Sequence, residues 1–167
     1  QMTEYVLAQV QRATQRLPLA LEVHFTGGSP SQMQAWLGDA VDCYPQAEGG
    51  LGDRLMAAFS QSLGLGRPGA IAIGSDCPEL TSEHLAAALD ALHRVDVVLG
   101  PATDGGYYLI GLRQLEPALF EAIAWGSDQV LAQTLTVAAA QGLTVELLTP
   151  LTDVDRPEDL PVWEAIG

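Results

Sequence analysis

Five short stretches of the chain carry residue types that could do chemistry. Gly74-Ser75-Asp76-Cys77-Pro78 sets an aspartate just after the apolar run Ala70–Ile73, between a glycine and a proline-fixed turn. A carboxylate there is a hard oxygen ligand suited to Mg²⁺ or Mn²⁺ on a diphosphate, since such ions take one or two protein carboxylates and complete their shell with phosphate oxygens. The same aspartate could simply cap a turn or the next helix. Thr152-Asp153-Val154-Asp155-Arg156-Pro157 places two carboxylates on one side of an extended segment, where both could approach one metal. Asp155 is equally suited to cap a helix starting at Pro157, with Glu158 and Asp159 at its positive end. In Thr103-Asp104-Gly105-Gly106-Tyr107 the glycines let amides approach a ligand and Asp104 could take a proton, although Asp-Gly-Gly between strands is also a good turn. Gly49-Gly50-Leu51-Gly52-Asp53-Arg54 leads glycines into a helix and offers an anion amides, a positive dipole end and Arg54; it is neither a Walker loop nor a GxGxxG fingerprint. Trp125-Gly126-Ser127 supplies an indole, either core or a platform for a sugar ring, and Ser127 as a helix cap. No nucleophilic triad can be assembled: there is no GxSxG elbow, Cys77 has no identifiable base, and His24, His84 and His93 are scattered.

These residues follow regular punctuation. Met2–Leu17 reads as an amphipathic helix, Leu19–Phe25 as a strand ending at Gly27-Gly28, Ser29–Leu37 as a short helix, and Asp42–Pro45 as a brief strand. Asp53–Leu63 has one apolar helical face; Ala70–Ile73 reads as a strand buried on both faces; a helix capped by Thr81 runs to about Arg94. Val97–Gly100, Tyr107–Leu112 and Val145–Leu148 are further strands, and Asp128–Gln141 is a helix closed by Gly142. Apolar strands alternating with helices predict an α/β fold with a mostly parallel sheet between helical layers. Ligands of such sheets bind at the carboxyl ends of strands, where these residues fall.

The 167 residues fit one domain with one core, and 48% hydrophobic against 17% charged excludes a disordered chain. Seven basic residues, all arginine, oppose 21 acidic ones for a net charge of −14. That field repels nucleic acid and anionic membranes. No apolar run spans a bilayer, no signal peptide is visible, and two cysteines without metal or redox spacing predict a reduced, cytoplasmic protein.

In order, IGSDCPEL, DVVLGPATDGGYYLIGL, the Trp125 segment and DVDRPEDL make the chain resemble a bacterial glycosyltransferase-like family, related to phospholactate guanylyltransferases and sometimes associated with arsenosugar biosynthesis. The resemblance runs from about Gly49 to Leu160. It implies a single nucleotide-diphospho-sugar transferase domain of the glycosyltransferase A type over 1–167, with a divalent cation between nucleotide phosphates and protein. It implies Asp76 as a metal ligand, with Asp153 and Asp155 contributing to metal or substrate. Gly49, Gly50, Gly52 and Arg54 match a loop near the nucleotide. Asp104, Gly105, Gly106 and Tyr107 match a loop near the transferred group or acceptor. Members of the family open with an apolar strand and a Pro-Gly-x-x-Lys-Thr-Arg-Leu phosphate loop, and this chain's first helix matches the one after it, so that first βα unit is missing here.

The leading expectation is therefore a metal-dependent glycosyltransferase acting on a nucleotide sugar and a small-molecule acceptor, with Mg²⁺ or Mn²⁺ as cofactor. An alternative is nucleotidyl transfer of the guanylyltransferase kind, in which a phosphorylated small molecule attacks a nucleoside triphosphate. A third reading is a non-catalytic nucleotide-binding relative without the phosphate loop. The base, sugar, acceptor, stereochemical outcome and oligomeric state are not encoded in any motif.

Overall fold

The computed structural model describes residues 2–39, 41–154 and 159–165. The elements run α1 (Met2–Thr14), β1 (Glu22–Phe25), α2 (Pro30–Leu37), β2 (Asp42–Pro45), α3 (Leu51–Gly64), β3 (Ala70–Ile73), α4 (Ser82–Ala91), β4 (Val97–Pro101), β5 (Tyr107–Leu112), α5 (Val130–Ala140), β6 (Val145–Leu147) and α6 (Leu160–Glu164). The alternation of apolar runs and amphipathic segments thus becomes a mixed α/β fold.

Strands β1 and β2 pair in parallel, and the other four form a sheet in the order β3-β5-β4-β6. Within it β4 and β6 are parallel, whereas β5 runs antiparallel to both β3 and β4. The reversed strand has a sequence cause: Ala102–Gly106 is far too short for the crossover that a parallel neighbour needs. Helices cover both faces. Val97, Leu99, Ile110 and Leu112 meet Phe59 and Ala138 on the α3/α5 side, while Val98 and Leu109 meet Val6, Leu85, Ala88 and Leu92 on the α1/α4 side. Trp163 of α6 lies edge-on to Tyr5 of α1 at 5.5 Å.

Three expectations need correction. The four-stranded sheet is mixed rather than mostly parallel, because β5 runs against both of its neighbours. Ala70–Ile73 is half-buried rather than buried, because one edge pairs with β5 and the other has no strand partner among the described residues. Strands β4 and β5 have strand partners on both edges or helices over both faces, and they are almost wholly buried. Ser127 does not cap the last long helix: α5 begins at Val130 with Gln129 as its cap, and the Ser127 hydroxyl donates to the Ala124 carbonyl at 2.7 Å. Its oxygen still accepts the Gln129 amide at 3.3 Å, so it closes the turn before the helix.

Candidate functional site

The carboxyl end of β3 and the segment after β6 come together although they lie far apart in sequence. Val154 N–H donates to the Asp76 carbonyl at 2.9 Å, and Thr152 N–H donates to Glu79 Oε2 at 2.8 Å. These two bonds clamp the backbone on either side of Asp153 against the 76–79 loop. The buried Cys77 thiol donates to the Asp153 carboxylate, and Asp153 Oδ1 is shielded from solvent. Burial, then the Asp153 carboxylate, pushes that thiol up to about 12, so Cys77 is an uncharged donor and not a nucleophile. Asp76 folds back over Gly74, where a Cβ would collide with its Oδ1. The chain after β3 and the chain after β6 therefore lie side by side, and the carboxylates of Asp76 and Asp153 both act on the Cys77 thiol. Asp155 lies outside the described residues.

The structure adds Tyr108, Glu79 and His84, which no spacing rule singles out. Gly100 pairs with Leu109 and Pro101 with Tyr107, leaving Tyr108 as the extra residue of a β-bulge. The bulge turns Tyr108 onto the α1/α4 face, across Gly100, where any Cβ would strike the ring. Its hydroxyl donates to the Thr149 carbonyl at 3.1 Å, and burial, then Cys77 and Asp153, push it up to about 12. His84 caps α4, its Nδ1 accepting the Thr81 amide at 3.2 Å, and its ring meets Tyr108 edge-on. A glycine before a bulge and a histidine at the third position of a helix were the available signals.

The β4–β5 turn lies at the same end of the sheet. Asp104 is exposed, with Oδ1 accepting the Gly106 amide at 2.8 Å. Gly105, at φ +95°, packs on Asp128 and its carbonyl accepts the Leu131 amide at 3.0 Å, which pins the turn to the start of α5. Tyr107 lies on the other face, edge-on to Trp125 at 6.3 Å, its phenol pushed up by burial, opposed by Thr134.

The glycine loop before α3 is engaged internally. Asp53 Oδ2 accepts the Gly50 amide at 2.9 Å, so a carboxylate already occupies the positive helix end. Arg54 is turned back: Nε donates to the Gly49 carbonyl at 3.1 Å and Nη1 to Gln46 Oε1 at 3.3 Å. Gly52 is buried under Trp125, where a Cβ would lie 2.7 Å from Nε1. Beside it, Gly50, Asp53, Glu121, Ala122 and Trp125 border a cavity of about 310 Å³.

Arg67, Arg94 and Arg113 stand at the amino edge of β3 and β4 or the far end of β5, and Arg67 and Arg94 pair with Glu22, Asp90 and Glu146. Asp76, Glu79, Asp104, Asp128 and Asp153 gather at the opposite, crevice end. Such an end attracts cations and repels free anions. Among the described residues no three histidine, cysteine or acidic side chains form a closed metal cage. Mg²⁺ and Mn²⁺ need only one or two protein carboxylates and complete their shell with ligand oxygens. No helix is long and apolar enough to cross a membrane among the described residues.

Comparison with known proteins follows the geometry. A crystal structure described as a "putative nucleotide-diphospho-sugar transferase" from Desulfovibrio desulfuricans G20 is 31% identical and superposes with a TM-score of 0.88, covering 97% of this chain and 72% of that one. A 4-diphosphocytidyl-2C-methyl-D-erythritol synthase superposes with a TM-score of 0.60 at 12% identity, over 99% of this chain and 90% of that one, a likeness of fold. No curated protein matches the sequence. Residues 9–127 match the family model described as "Uncharacterized protein conserved in bacteria (DUF2064)", and with most of its length inside that match the chain belongs to this family.

Proposed function

We propose that the protein is a transferase that binds a nucleotide-diphospho-sugar through Mg²⁺ or Mn²⁺ and passes the sugar to a small-molecule acceptor. Asp76 and Asp153 would hold the cation, with Asp155 as a further carboxylate. The observation that carries this reading is the meeting of Asp76 and Asp153 from two remote strand ends, with Asp153 clamped by the Thr152 and Val154 amides. The 31% identical relative described as a "putative nucleotide-diphospho-sugar transferase" supports the substrate class.

The donor set fits the group: hard oxygens, few in number, at an acidic strand edge. When bound, the cation supplies Lewis-acid stabilisation of the departing nucleoside diphosphate. The chain's residues do the positioning. Glu79 and the Asp76 carbonyl fix the segment that carries Asp153. Cys77 and Tyr108 stay uncharged beside it and leave the negative charge to the carboxylates. Gly49, Gly50, Gly52 and Arg54 would form a loop between the nucleotide and the acceptor; with Asp53 on the Gly50 amide, that loop contributes form more than charge. Gly105 and Gly106 hold Asp104 at the lip, where its carboxylate would receive the acceptor's proton. Tyr107, Trp125 and Ser127 would flank the transferred group or acceptor.

The test is calorimetric titration of the full encoded protein with nucleoside diphosphates, nucleoside triphosphates and nucleotide sugars, each with and without Mn²⁺. Nucleotide-sugar binding should require Mn²⁺ and weaken at least about tenfold in Asp76→Ala and Asp153→Asn, about 1.4 kcal/mol or more. Equal binding without metal, or no nucleotide binding, overturns the reading. Release of pyrophosphate from a triphosphate, in place of nucleoside diphosphate from a nucleotide sugar, would establish nucleotidyl transfer.

A further inference from the structure

The cavity beside α3 is set apart from the metal carboxylates by its chemistry. At about 310 Å³ it accommodates a single ring-sized group and not a whole nucleotide sugar. One wall is the Trp125 indole, fixed on two sides: Tyr107 meets it edge-on at an 85° interplanar angle, and its Nε1 seats against Gly52, a position that tolerates no side chain. The other charged residues on its walls are Asp53 and Glu121; among the described residues no arginine or histidine borders the space. Arg54, the nearest arginine in sequence, is turned away onto Gly49 and Gln46.

The wall that carries Glu121 is a built turn. Ala122 adopts φ +54°, a left-handed backbone that a non-glycine residue takes only when its surroundings impose it. The strand of chain after it is held by the Ala124 amide on Gln133 Oε1 at 2.8 Å and by the Trp125 amide on the Ile123 carbonyl at 2.9 Å. Glu121 and Trp125 are thus presented from one fixed loop.

We propose that this cavity is the acceptor's seat and that it takes an uncharged, polyhydroxylated ring, and rejects a phosphorylated one. The proposal rests on the transferase reading above and deepens it. Ring hydroxyls would donate to the Asp53 and Glu121 carboxylates, and the apolar face of the ring would lie on the indole. A phosphate would meet two carboxylates without a cation to offset them. The inference separates the two transfer reactions, because nucleotidyl transfer needs a phosphorylated acceptor.

The test uses the full protein without nucleotide or metal, so its failure is independent of the donor test. The Trp125 indole N–H resonance, assigned by its loss in Trp125→Phe, is followed while neutral hexoses, pentoses and inositols, and the phosphate monoester of each, are titrated at constant ionic strength. At least one neutral member should shift it and bind at least tenfold more tightly than its phosphate ester. Glu121→Gln, an exposed loop change whose fold is checked by circular dichroism, should narrow that gap several-fold. A phosphate ester that binds as tightly as its neutral parent overturns the proposal, and so does a panel in which no neutral member moves the resonance.

Discussion

Cys77 and Tyr108 make the clearest physical statement at the scale of single residues. Both are pushed up to about 12, by burial first and then by neighbouring acidic groups. In the unfolded chain they ionise near about 8.5 and about 10. Above those values the unfolded chain releases protons that the folded chain retains, so their contribution to stability is intact below about pH 8.5 and is lost as the pH climbs toward 12. The urea midpoint should fall steadily above pH 9, and Cys77→Ala should flatten the lower part of that fall; a midpoint constant from pH 8 to 11 contradicts the assignment. Gly105 provides a steric counterpart. Its φ of +95° and the Asp128 carbonyl against its Cα leave no room for a methyl group, so Gly105→Ala should cost roughly 2–3 kcal/mol by chemical denaturation. The Asp104-Gly105-Gly106 pattern was readable as a turn from sequence. That the turn is pinned to α5 through the Leu131 amide was not, because Leu131 lies on a separate element whose docking no local pattern specifies.

Elements explain why the site sits where it does. Helix α3 starts at a glycine pair and is capped from within by Asp53, so Asp53→Ala should lower stability by about 1 kcal/mol, measured by thermal or urea unfolding. The bulge at Tyr108 interrupts the alternation of β5 and sends consecutive residues, Tyr108 and Leu109, to the same face. Hydropathy could place the strand at Tyr107–Leu112 but not the bulge, since both tyrosine and leucine are apolar enough for either face. Strand β4 lies between β5 and β6, whereas β3 pairs on one edge only among the described residues. Amide hydrogen exchange should accordingly be slower across Val97–Leu99 than at those β3 amides that point away from β5. Uniform protection of all four β3 residues would place another strand on that edge. The apolar run Ala70–Ile73 announced a strand without revealing its open side, because edge pairing depends on other segments.

For the whole molecule the governing quantity is a net charge of −14. Self-repulsion of this kind is screened by salt, and raising ionic strength from about 0.01 M to about 0.3 M should raise Tm by a few degrees, roughly 1 kcal/mol for a chain of this size; an unchanged Tm would mean that the acidic groups are compensated locally. Sequence alone determined the element order, the helical layers, the charge and the positions of Asp76, Asp104 and Asp153 just beyond strands, because periodicity, turn residues and composition are local properties. Only the tertiary structure decided which of these meet: Asp153 beside Cys77 and the 76–79 loop, Trp125 over Gly52, and Asp53 on the Gly50 amide. Those meetings depend on strand order, a bulge and a backbone clamp, each set by packing between segments tens of residues apart, and no spacing within one segment encodes them.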